Sequence, residues 1–315
     1  MRWLFLAMTL IAAALFVVYV APSATSPAPP PVEAVALPPE PYPVVSMPVT
    51  GLPRGEVCNE APAFEAAAAR NALEIDTLPF SPFGRPETGW RIYAPQVASE
   101  IATACAPEDP GFANALAGWQ RAHRQPPTGV LDPDTFQAMK VRWHLRRPFV
   151  VLSRATGCPP AATPTSLAAA GEDEVYGSTV IELRADALAA WRRMVADARD
   201  QDPAIARDRQ ALLIFSGYRA PDADDLRCES QGNCDNVVRT PCSAHRTGLA
   251  FDIVVGSAPG GRVDSTDDAN RLAMSRSPAY RWLVRNAHRY GFVNYVFEPW
   301  HWEWSPPEQP GASRA

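Results

Sequence analysis

Two stretches of the chain bring together side chains able to hold a metal ion and move a proton. SAHRTGLAFD, residues 243–252, sets His245 and Asp252 seven positions apart. EPWHW, residues 298–302, sets Glu298 three positions ahead of His301. Two imidazoles, one ligating carboxylate and one spare carboxylate are the parts of a catalytic zinc site: neutral nitrogen and carboxylate oxygen hold the ion, one position stays open for water, and the spare carboxylate removes that water's proton. Taken singly, each residue has a plainer account, a core histidine or an Asp capping a turn. Together, in a chain with only five histidines, they are harder to explain that way. His123, His144 and His288 sit in arginine-rich helical segments and read as face residues.

The elements that must position these groups follow from local pattern. Leu249 to Val255 is apolar and β-branched around Asp252, the mark of a buried strand in which an ionised Asp needs a cation or a partner. A turn at Gly248 would fold His245 back towards it. Trp300, His301, Trp302, Glu303 and Trp304 alternate as a strand does, tryptophans on one face and polar groups on the other. Pro299 bends the chain, so Glu298 can reach the metal from off that strand. A third strand, Ala211 to Phe215, ends in Ser216-Gly217-Tyr218-Arg219, where Arg219 brings a fixed positive charge.

SGYR, SxHxxGxAxD and ExxH in this order resemble the VanY/VanX-type zinc D-alanyl-D-alanine peptidases, over roughly residues 175–305. The resemblance implies an α+β fold, a small, mostly antiparallel sheet with flanking helices of the zinc D,D-peptidase/Hedgehog-like kind. It implies one zinc held by His245, Asp252 and His301, Glu298 as general base, and Arg219 on the scissile carbonyl or the transition state. Ser243 takes the place of a substrate-orienting hydroxyl, and Tyr218 and Trp300 are expected to wall the pocket. The implied activity is removal of terminal D-Ala from peptidoglycan stem peptides. An endopeptidase on the same scaffold, or a non-catalytic zinc-containing wall-binding scaffold, are the alternatives. A cysteine-bearing insert, CESQGNC, departs from the family pattern.

The remaining sequence speaks to location. Met1-Arg2 precedes an apolar run to Ala21, expected to be a single-pass membrane anchor (or a signal segment) that exports the rest to the periplasmic face or cell envelope. Residues 22–53 are a Pro-rich spacer. Six cysteines suit export; the sequence does not choose among their possible pairings, and the set adopted as an expectation is Cys58 with Cys105, Cys158 with Cys242 and Cys228 with Cys234. Residues 54–150 include NALAGWQRAHRQPPTGVLDPDTFQAM, where Asp132 and Pro133 read as N-cap and first helical residue. This resembles the small helical peptidoglycan-binding domain and implies glycan as a second partner. A linker, 151–174, leads to the peptidase domain, 175–308, and a tail, 309–315. A net charge of −5 without a basic run argues against nucleic acid.

Overall fold

In the computed structural model, which describes residues 58–231 and 240–305, the strands around the two motifs share one sheet. The first half of the chain is mostly helical: α1 (Glu65–Thr77), a short hairpin of β1 (Pro79–Phe80) and β2 (Glu87–Thr88), α2 (Ala94–Glu100), α3 (Pro110–Ala122), α4 (Pro133–Arg146) and α5 (Pro148–Thr156). The second half runs β3 (Leu167–Ala169), β4 (Glu182–Arg184), α6 (Ala185–Gln201), α7 (Pro203–Arg207), β5 (Ile214–Ser216), α8 (Pro221–Gln231), β6 (Ala250–Ile253), α9 (Asp268–Arg276), α10 (Pro278–Asn286), β7 (Phe292–Asn294) and β8 (His301–Trp304). The fold is α+β, as the sequence leads one to expect. Residues 1–21, the spacer 22–53, the tail and Cys234 lie outside the described residues. Among the described residues no helix is long and apolar enough to cross a membrane.

The sheet has the order β5-β6-β8-β7 and every neighbouring pair is antiparallel. Its apolar face meets α6 and α10. Trp300, Trp302 and Trp304 join Trp191, Met194, Phe251, Trp282 and Leu283 in one core. The opposite face of β8 carries His301 and Glu303, and it too is buried. The start of α5 lies over this face, with the Phe149 N–H donating to Glu303 at 2.8 Å.

In the helical half, Asp132 caps α4 by accepting from the Thr135 N–H at 2.7 Å, with Pro133 in the first turn. Gln120 clips the TGVLD turn: its Oε1 accepts from the Gly129 N–H at 2.8 Å and its Nε2 donates to Val130 and Thr135. Asn71 on α1 grips the same turn from the other side, donating to the Gly129 carbonyl and accepting from the Leu131 N–H.

The two halves are packed against each other. Arg271 of α9, fully buried, donates to the Tyr93 hydroxyl, to Glu87 and to the Phe297 carbonyl. Gln96 donates to Asn294, and the Phe83 and Phe297 rings lie 5.0 Å apart. Nor is residues 151–174 a free spacer, despite its composition. Cys158 is disulfide-bonded to Cys242, the Ala162 N–H donates to the Arg246 carbonyl, and β3 pairs with β4. Cys58 is bonded to Cys105. Cys228 is also disulfide-bonded.

Candidate metal centre

Asp252 and His301 meet because of strand register. They are directly opposed on β6 and β8, and His301 Nδ1 lies 2.9 Å from Asp252 Oδ1. His245 arrives from the side, on a 3-10 turn over Ala244–Thr247 capped by the Ser243 hydroxyl. Gly248 ends that turn in the left-handed region at φ 66°, and the chain then enters β6. His245 Nδ1 donates to the Gly217 carbonyl at 2.7 Å, so the free electron pair belongs to Nε2, 3.4 Å from Asp252 Oδ2. Gly217 has no room for a side chain: a Cβ there would stand 2.5 Å from the Glu182 carbonyl oxygen. The glycine of SGYR thus brings its own carbonyl up to the imidazole.

One donor atom from each of His245, Asp252 and His301 lies within 4.8 Å of the others, and all three residues are buried. The electrostatics are those of a site shaped for a cation. Burial holds His245 below the ordinary imidazole value, against the pull of Asp252. Burial also opposes ionisation of Asp252, but the two histidines outweigh it and keep the carboxyl well below the usual range. His301 loses by burial yet gains more from hydrogen bonds to Asp252 and Glu303, and is pushed up to about 9. Its two ring nitrogens both face carboxylates, so without a metal a proton sits where a cation would share Asp252. Two nitrogens and a carboxylate, with a hydrogen-bond partner on the far nitrogen of each ring, fit zinc.

Glu298 lies in the β7–β8 connection and is half-buried. Its N–H donates to the Tyr295 carbonyl at 2.8 Å, and its carbonyl accepts from the His301 N–H at 2.9 Å. That turn carries Glu298 off the strand, around Pro299. Arg219 follows β5. It donates to Asp224 at 2.8 Å and to Ser216 at 3.2 Å, and its charge is felt at His245. Tyr218, beside it, is half-buried. Trp300 is only 3 % exposed and belongs to the core, so it is not a pocket wall: its indole packs under the sheet with Trp302 and Trp304. Glu303 is absent from the motif reading. In a strand of alternating residues it passes for a solvated acid, and nothing near it in sequence marks its partner Arg147. A cleft of about 420 Å³ lies elsewhere, between α2 and α10, lined by Arg91, Arg281, Arg285 and His288, and it contains none of these groups.

Residues 180–307 match the VanY family, described as D-alanyl-D-alanine carboxypeptidase. Residues 107–139 match the family of putative peptidoglycan-binding domains. No curated protein matches the chain. Among solved structures, an LdcB LD-carboxypeptidase, described with the molecular basis of its peptidoglycan recognition, aligns at 23% identity over 47% of this chain and 73% of its own, with a TM-score of 0.34. At that distance the likeness carries no argument about the site. The match to a carboxypeptidase family over residues 180–307, the match to a peptidoglycan-binding family over residues 107–139 and the disulfides together support a peptidoglycan-acting, extracytoplasmic peptidase.

Proposed function

We propose that the chain is a zinc-dependent D-alanyl-D-alanine carboxypeptidase that trims the terminal D-Ala from peptidoglycan stem peptides. One observation carries the reading: His245, Asp252 and His301 converge, buried, within the VanY-matching segment, and Glu298 sits in the turn that delivers His301. His245 Nε2, Asp252 and His301 Nδ1 are the atoms that would hold the ion. Bound zinc supplies a Lewis acid and brings the pKa of water towards neutrality.

The chain's own residues do the rest. Glu298, the carboxylate outside the donor set, takes the water's proton and returns it to the leaving amine. Arg219, steadied by Asp224 and Ser216, offers positive charge to the oxyanion. The Ser243 hydroxyl accepts from the His245 N–H, which leaves its own hydrogen to orient substrate. Tyr218, next to Arg219 in the chain, walls the substrate pocket in this reading. The helical half holds glycan and raises the local concentration of stem peptides. In this reading residues 1–21 tether the enzyme to the membrane, and 22–53 space it from the surface.

The test is mass spectrometry of UDP-muramyl pentapeptide incubated with the zinc-loaded full chain. Loss of one alanine, abolished by chelation, is expected. Glu298→Gln should keep its zinc and lose turnover by roughly 10²–10⁴-fold, whereas His245→Ala, Asp252→Ala and His301→Ala should each lose zinc. An untouched pentapeptide with zinc in place would overturn the carboxypeptidase assignment, and a cut inside crosslinked muropeptides would then assign an endopeptidase.

A further inference from the structure

Neither Glu303 nor Arg147 belongs to the donor set or to the proton-transferring pair. Both are nonetheless as enclosed as the donors, their side chains 1% and 11% exposed. Removing two charges from water is costly and is tolerated only where the geometry is good and the remaining hydrogen-bonding positions are filled. Here Arg147 Nη2 and Nε lie 2.5 and 2.7 Å from Glu303 Oε1. The Phe149 N–H donates to Oε2 at 2.8 Å. His301 Nε2 lies 3.4 Å from the same Oε1 that Arg147 holds. The guanidinium also lies over the Tyr295 ring at 4.1 Å, and that ring stands edge-on to the His301 ring. Arg147 and Phe149 come from the junction of α4 and α5, ahead of the segment that matches the carboxypeptidase family.

We infer that Arg147 is a positioning residue of the metal centre: through Glu303 it fixes the ring and tautomer of His301, so that the helical half of the chain sets the metal affinity of the peptidase half. The inference rests on the metal-centre reading given under Proposed function. An imidazole offers Nδ1 to a metal only when the proton is on Nε2, and a carboxylate accepting that proton both selects the tautomer and makes the ligand more basic. A carboxylate free to rotate would do this poorly. Arg147 and the Phe149 N–H leave Glu303 one orientation, with Oε1 towards the ring. The rival account is a mechanical bolt between α5 and β8, which would affect unfolding but not zinc.

Zinc affinity of the full chain, measured by competition with a chromophoric chelator, separates the two accounts, with the melting temperature of the metal-free protein recorded alongside. Arg147→Met and Glu303→Leu should bind zinc about 10–100-fold more weakly. Glu303→Gln, which keeps an acceptor for the Nε2 proton, should lose less. Should the single variants fail to fold, the double variant Arg147→Met/Glu303→Leu removes both charges and leaves neither unpaired. It should remain folded and still bind zinc weakly. Parental zinc affinity in the double variant, or a lowered melting temperature with unchanged affinity in Arg147→Met, overturns the inference and leaves the proposed function standing. A parent chain that binds no zinc sinks both.

Discussion

Asp252 and Glu303 are both buried carboxylates kept ionised, by different partners. Asp252 is held by two imidazoles; Glu303, which burial alone would raise, is brought down to about 2 by the charge of Arg147. The first could be read from the sequence, because a lone Asp in an apolar strand demands a cation. The second could not, because Arg147 lies 156 positions from Glu303 and only the fold joins them. Trp300 misleads for a related reason: its place beside the motif suggests contact with substrate, but its strand parity sends it to the core. A third such carboxylate, Glu100, receives Arg146 at 2.7 Å, Arg142 at 3.3 Å and the indole N–H groups of Trp119 and Trp143. Burial opposes its charge, but Arg146 and its neighbours outweigh that and lower its pKa. A lowered folded value means stabilisation that is full above the unfolded carboxyl's pKa of about 4.3 and lost as pH falls below it. The melting temperature should therefore drop from about pH 5 to pH 3, and Glu100→Gln should flatten that drop; a Gln variant that tracks the parent across the range would exclude Glu100 as a source.

At the scale of elements, the site depends on one register and one turn. The Asp252–His301 pair follows from antiparallel pairing of β6 with β8, and a slip of one residue would send both to opposite faces. His245 depends on Gly248. A Cβ there would meet Leu167 Cδ2 at 3.0 Å and Arg184 Cγ at 3.1 Å, at a φ that side chains disfavour. Gly248→Ala should cost about 1–2 kcal/mol from the left-handed backbone alone, with the contacts adding to it, and should weaken zinc binding in step. Denaturation that matches the parent would mean the turn relaxes freely. The strands and the capped α4 were visible in period and N-cap chemistry, whereas α1 was not. It carries no motif, and Asn71 earns its place only through the Gly129–Leu131 turn, about 60 residues on. Residues 151–174 are rich in proline and alanine, yet they are held by the Cys158–Cys242 disulfide, legible in the cysteine count, and by the β3–β4 pair, which composition does not mark.

For the whole molecule, the contact between halves decides what the helical half is for. If it served only to hold glycan, deleting residues 54–150 would weaken binding to isolated wall and leave cleavage of a free pentapeptide nearly intact. The buried Arg271 would then lose Glu87 and Tyr93, Phe297 would lose Phe83, and Glu303 would lose Arg147 and the Phe149 N–H. Stranding one partner of a buried ion pair costs about 3–5 kcal/mol, comparable with the stability of a whole small domain. The deletion should thus abolish both activities and lower the yield of folded protein. Normal pentapeptide cleavage by the truncated chain would show that the halves are independent. Cys158–Cys242 adds to the dependence, since it ties the segment after α5 to the residue before Ser243.

The bond between Arg147 and Glu303 also bears on how such a chain can vary across generations. A wall-binding module is commonly pictured as a cassette, exchanged between enzymes without consequence for the chemistry. Here a borrowed helical half lacking an arginine at 147 would leave an acid stranded at 303, and a change at 303 would strand the arginine. Inheritance of the two positions is therefore linked: among descendants of this arrangement the pair should be kept together or replaced together, and the helical half should travel with the peptidase half.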